Sequence, residues 1–250
     1  GGDGLFHSLV LGVDYKDFDE TIGFNEEGED DIVTPITYLN WSLGWNATLL
    51  RETRTHTYDL TANAGIRGLG NADNKFVDGQ VTGEFADKRY KARPNYFYVE
   101  GGYELIQSLP WWGTALALDL RGQWTPQALI SNEQFATGGR DSVRGYYEGE
   151  ILGDYGVQAS AEWRSPNFGP RLWKPLENLY GYGFLDSARL LLNDPLPDQV
   201  DSVTLLSAGV GLRLAADPLT AGLDLAIPFR DGQTTEEGDE RLLFSPRYGF

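Results

Sequence analysis

The chain contains no cysteine, no methionine and only two histidines, and its basic residues are far outnumbered by its acids. Without cysteine there is no disulfide framework, no thiol catalysis and no cysteine-ligated metal. Lys+Arg number 20 against 37 Asp+Glu, a net charge of -17, which argues against nucleic acid as a partner. His7 and His56 fall near predicted strand starts, and no Gly-x-Ser-x-Gly is present. A Ser–His hydrolase therefore has little to be built from, and no enzymatic activity is expected. No apolar run approaches the ~20 residues of a membrane helix. The acids at 26–31 lack the pattern of an EF-hand and read as a solvated loop near a divalent-bridged lipid surface. Nothing points to phosphate, nucleotide or haem, so neither cofactor nor metal is expected.

What the chain does have is glycine (31 residues), 13% aromatics, and a period of two. Leu206, Ala208, Val210, Leu212 and Leu214 alternate with Ser207, Gly209, Gly211 and Arg213. Leu219, Ala221, Leu223, Leu225, Ile227 and Phe229 alternate with Thr220, Gly222, Asp224 and Ala226, and similar runs surround Leu43 and Leu60. Such alternation is the mark of strands. Ten are predicted, near 5–16, 36–49, 54–67, 95–107, 112–125, 155–165, 177–190, 202–214, 218–229 and 241–250. Short connections alternate with long polar ones, and strands of this length, tilted, cross a hydrocarbon layer. The face opposite the apolar one is Gly, Ser, Thr, Asn and isolated charges rather than Lys and Glu, which suits a polar lumen. Aromatics (Tyr15, Trp45, Trp111, Trp112, Trp124, Tyr248) gather near strand ends as in an interfacial girdle. The expected fold is all-β, a transmembrane antiparallel β-barrel, one domain across 1–250.

The stretch "SNEQFATGGRDSVRGYYEGEILGDYGVQASAEWRSPNF" at 131–168 is too long and too rich in glycine for a simple turn. Its Glu133-Gln134-Phe135, Gly138-Gly139, Val143-Arg144-Gly145-Tyr146, Gly153-Asp154-x-Gly156 and Glu162 closely resemble the Omp85 superfamily. Within it they resemble the two-partner secretion transporters (TpsB, haemolysin-activator-like). A second superfamily motif, Phe-x-Asp, stands at Phe184-Leu185-Asp186. The resemblance implies that the motif loop, 126–154, folds back into the lumen. Arg144 is then expected to bridge to Asp186, with Glu162 a second candidate and with Phe184 and Tyr146 packed around it. A guanidinium in a partly dry lumen needs such a carboxylate.

Members of the superfamily have sixteen strands, so the ten here correspond to the last ten, and POTRA domains are not among them. Ten strands could close on themselves as a narrow barrel, or be completed by others, since bare edges are not viable in lipid. The ending, with Leu242, Phe244, Pro246, Tyr248 and Phe250 on one face, resembles the C-terminal assembly signal of bacterial outer-membrane proteins and implies the barrel assembly machinery as a partner. The expected setting is the Gram-negative outer membrane, amid lipid and lipopolysaccharide, with long loops outside and a periplasmic C-terminus. The implied function is export of a partner exoprotein. The alternatives are an outer-membrane protein insertion factor, and a short barrel acting as a passive pore or scaffold.

Overall fold

A computed structural model of the chain describes residues 3–22, 32–69, 75–77 and 80–249. In chain order its elements are β1 (Gly4–Ile22), β2 (Ile32–Arg51), β3 (Arg54–Gly65), β4 (Lys75–Val77), β5 (Gln80–Thr82), α1 (Glu84–Lys88), β6 (Tyr96–Ser108), β7 (Ala115–Trp124), β8 (Phe135–Thr137), β9 (Ile151–Gly153), β10 (Tyr155–Arg164), α2 (Gly169–Leu172), β11 (Asn178–Leu191), β12 (Ser202–Ala216), β13 (Leu219–Pro228) and β14 (Arg241–Tyr248). Ten long strands form one antiparallel sheet in the order β1-β2-β3-β6-β7-β10-β11-β12-β13-β14. Each pairs with its neighbours along the chain, and the short pairs β4-β5 and β8-β9 are hairpins inside two long connections. This is the all-β transmembrane barrel fold read from the alternation. Among the described residues, no ladder between β1 and β14 is registered.

The burial pattern is inverted relative to a water-soluble sandwich. Leu9, Leu11, Leu43, Leu60, Leu120, Val157, Leu185, Val210, Leu223 and Leu225 are exposed, while Asn40, Asn63, Gln123, Gln158, Asp186, Ser207 and Asp224 are buried. Apolar outside and polar inside is the arrangement a barrel in lipid requires. Short turns at 52–53 and 217–218 close one end of the sheet, together with the longer turns at 109–114 and 165–177. The other end carries the long connections at 66–95, 125–154, 192–201 and 229–240.

β1 and β2 are longer than the alternation predicts. Their ladder runs unbroken from Gly4↔Leu50 to Ile22↔Ile32, through a region expected to be loop. Past the hydrocarbon layer neither face has to be apolar, so the backbone ladder continues while the side-chain pattern fades. The acids at 26–31 lie outside the described residues. Trp111 and Trp112 sit in a turn rather than at the start of β7, with Trp112 at φ +52°.

Candidate functional site: a loop held inside the sheet

The connection between β7 and β10 does not project away from the sheet. Its buried residues pack on the inward face of the strands. Val143, Tyr146 and Ile151 form one apolar cluster with Ala188, Leu190 and Leu205 of β11 and β12. Leu129 and Ile130 form another with Ile36, Tyr38, Tyr96, Tyr98 and Phe85 of α1. Burial of these side chains, roughly 1.5–3 kcal/mol each, supplies the gross affinity of loop for wall. Polar contacts set where it sits.

Glycine makes the reversal possible. Gly138, Gly139 and Gly145 have φ of +107°, +104° and +96°. A Cβ on Gly138 would lie 2.6 Å from the Tyr147 carbonyl oxygen, and one on Gly139 2.1 Å from the Glu148 carboxylate. The dihedrals disfavour an ordinary side chain at all three, and at Gly138 the neighbouring backbone leaves no space for one.

Arg144 lies at the centre. Its Nε donates to Asp186 Oδ2 at 2.7 Å and its Nη2 to Oδ1 at 2.8 Å, a bidentate fork. The backbone N–H of Arg144 donates to Asp186 Oδ2 as well, at 3.1 Å. Nη1 donates to Glu162 Oε1 at 2.7 Å, and Nη2 to Ser160 Oγ at 3.0 Å. The other oxygen of Glu162 accepts from Arg164 at 2.7 Å, and Ser160 donates to Asp186 at 2.6 Å. The guanidinium carbon stands 3.6 Å from the Phe184 ring centroid, a cation–π contact. Arg144 side-chain exposure is 5% and that of Asp186 is 0%, so the pair is buried. Two cations, Arg144 and Arg164, face two anions, Asp186 and Glu162.

Around this centre, Val143 is buried, and Tyr146 Oη lies 2.8 Å from the Arg230 carbonyl and 3.0 Å from that of Leu206. Gly145 packs against Ala226 and Pro228. The proposed assembly-signal residues stand apart: Phe244 and Tyr248 are exposed on the outward face of β14, and Phe250 lies outside the described residues. His56 and Tyr103 share a hydrogen bond of 3.0 Å near a short turn, while His7 is exposed.

Three further anchors carry no role in the sequence reading. Glu133, 3% exposed, takes Lys16 Nζ at 2.5 Å, Tyr98 Oη at 2.7 Å and the hydroxyl of Tyr38, tying the loop's entry to β1, β2 and β6. Asp154, fully buried at the loop's exit, accepts Arg89 Nη1 at 2.6 Å and Nη2 at 2.8 Å, Asn193 N–H at 2.6 Å and Leu129 N–H at 3.0 Å. It thereby joins three long connections. Glu150 accepts the N–H groups of Thr234 and Thr235 at 2.6 and 2.8 Å, the Thr235 hydroxyl at 2.9 Å and Tyr147 N–H at 3.0 Å. Burial alone would raise the pKa of Glu150; the donors outweigh it and hold the carboxyl below its ordinary value. Glu133 and Asp154 belong to the quoted motif, but their partners lie as far as 117 residues away, and no spacing rule reaches that far.

The family model of the haemolysin secretion/activation protein ShlB/FhaC/HecB matches residues 33–214. No curated protein sequence matches the chain. Among solved structures, CdiB from Escherichia coli is similar at a TM-score of 0.71 and 16% identity, over 96% of this chain and 41% of that one. CdiB from Acinetobacter baumannii is similar at 0.64 and 18%, over 97% of this chain and 38% of that one. The chain thus spans about two fifths of the length of these structures, and at such identities the likeness concerns the fold.

Proposed function

The chain belongs to the haemolysin secretion/activation family ShlB/FhaC/HecB, outer-membrane proteins of Gram-negative bacteria, and from that premise we propose that it forms part of a barrel that exports a partner exoprotein to the cell surface. In this reading the long connections face outside and the short turns and C-terminus face the periplasm. The terminal aromatics present the last strand to the assembly machinery. The Val143–Tyr146 loop governs passage: Arg144 pins it to β10 and β11, where it obstructs the lumen, and export requires it to shift or to form one wall of the route.

The observation that carries this reading is the buried Arg144–Asp186–Glu162 cluster, which fixes the loop to the inward face of β10 and β11. An insertion factor of the wider superfamily could use a similar loop, but the family match favours secretion. The test is export of the partner in cells carrying Arg144→Glu, Asp186→Arg, or both. Each single reversal should abolish export and the double reversal restore part of it. Equal export by all variants would sink the proposal.

A further inference from the structure

The tip of the motif loop reaches beyond the Arg144 cluster toward the short-turn end of the sheet. There Arg140 Nη2 lies 3.3 Å from where a Cβ on Gly222 would stand, three residues into β13. Arg140, Arg213 and Arg247 line one cavity of about 300 Å³ with Asn178, Tyr180 and Ser245, and no carboxylate lines it. In a chain of net charge -17 that is an unusual gathering.

The three guanidinium groups are unequally satisfied. Arg213 donates to Asp224 at 2.9 Å. Arg140 and Arg247 enter no ion pair among the described residues, and the buried Nε of Arg140 has no hydrogen-bond partner. Carboxylates do line the adjoining cavity: Glu162 is engaged by Arg144 and Arg164, Glu104 and Asp119 by Arg121, and Asp141 is exposed. Leaving a buried guanidinium donor unmade costs stability, and close like charges repel. An anion that enters beside Arg140 and the exposed Arg247 lowers the repulsion among the three.

We propose that Arg140, Arg213 and Arg247 form an anion site on the inward face of the sheet that takes the carboxylates of an acidic polypeptide segment in transit. The inference rests on the export reading for its occupant. A planar fork matches a carboxylate, as the Arg144–Asp186 pair in the same lumen demonstrates. The outward face is apolar, the side that lipid would cover, whereas the three arginines lie on the inward face, where an acidic polypeptide segment complements their charge. Because the site includes the loop tip, an acidic segment bound there also touches the element that obstructs the lumen.

The experiment measures anisotropy of a fluorescent peptide bearing four glutamates, and of its four-glutamine counterpart, with the detergent-solubilised protein. The acidic peptide should bind at least about tenfold more tightly, and its affinity should fall as salt rises. Arg140→Gln with Arg247→Gln should remove about tenfold of that affinity, whereas Arg54→Gln at an exposed turn should leave it unchanged. Circular dichroism confirms that the double variant keeps its sheet. Equal binding of the two peptides, wild-type affinity in the double variant, or stronger uptake of anionic lipid vesicles than of peptide would overturn the site. Export of the partner is read separately. Selective peptide binding by a protein that exports nothing would refute the export reading and leave the anion site standing. Loss of binding without any loss of export would remove the site's link to transit.

Discussion

Replacing Arg144 by methionine leaves Asp186, at 0% exposure, with its bidentate cation gone. It also removes donors from Glu162 and Ser160. Stripping one partner from a buried pair costs about 3–5 kcal/mol, chiefly because the remaining charge has lost its compensation. At about 1.4 kcal/mol per factor of ten, the population of loop detached from the wall should rise between about one hundred and a few thousand fold. The absence of cysteine makes this measurable. Val143, 0% exposed, tolerates a thiol of similar size, and maleimide labelling of Val143→Cys reports each opening. Arg144→Met should accelerate labelling by that factor. Asp186→Leu should do at least as much, because it also deprives the Arg144 backbone N–H of its acceptor. The double substitution, which leaves neither charge, should label more slowly than either single variant. A double-variant rate equal to the product of the two single effects would mean no coupling between the residues, and the pinning argument would be wrong.

Glu150 sets a pH dependence. Its folded pKa is depressed, so the clasp on residues 234 and 235 is intact above the ordinary carboxylate range and weakens as pH falls below about 4. Proteolysis of the 229–240 connection by an acid-active protease should increase there, and Glu150→Gln should flatten the profile. Gly145→Ala, forced to φ +96° against Ala226 and Pro228, should speed Val143→Cys labelling about tenfold or more. Gly149→Ala, at φ +63° with open space around it, should have a much smaller effect. Glu133→Ala strands the hydroxyls of Tyr38 and Tyr98 and the ammonium of Lys16, and should lower the thermal midpoint by several degrees. An unchanged midpoint would show that Glu133 is not needed to hold the loop's entry.

Strand content was legible because a lipid-facing surface imposes strict alternation. Residues 206–214 and 219–229 declare their faces one by one, and the structure exposes Val210, Leu212, Leu223 and Leu225 as that pattern requires. The pattern failed where its cause stops: beyond the hydrocarbon layer β1 and β2 continue on backbone hydrogen bonds that leave no trace in side-chain polarity. The approach of Arg144 to Asp186 was accessible only through two short motifs whose meaning comes from resemblance. Periodicity puts Asp186 on one face with Phe184, the resemblance makes that face the lumen, and neither periodicity nor composition says which loop meets it. The contacts of Glu133, Asp154 and Glu150 were not legible at all, because each depends on a fold that brings distant connections together.

Of the buried carboxylates, Glu133, Asp154, Asp186 and Asp224 each have a cation of their own in Lys16, Arg89, Arg144 and Arg213, while Glu150 is held by neutral donors. Cancelled pair by pair, they contribute little to the potential felt at a distance. The surplus negative charge resides elsewhere, and part of it is in the long connections: those at 192–201 and 229–240 hold Asp194, Asp198, Asp201, Asp231, Glu236, Glu237, Asp239 and Glu240 against the single Arg230. A molecule approaching the long-loop rim meets an anionic fringe at about 8 Å, the screening length of physiological salt, while the short-turn end presents the arginines. The molecule is electrically polar along its axis. An acidic segment is attracted at one mouth and repelled at the other, and a basic one experiences the reverse.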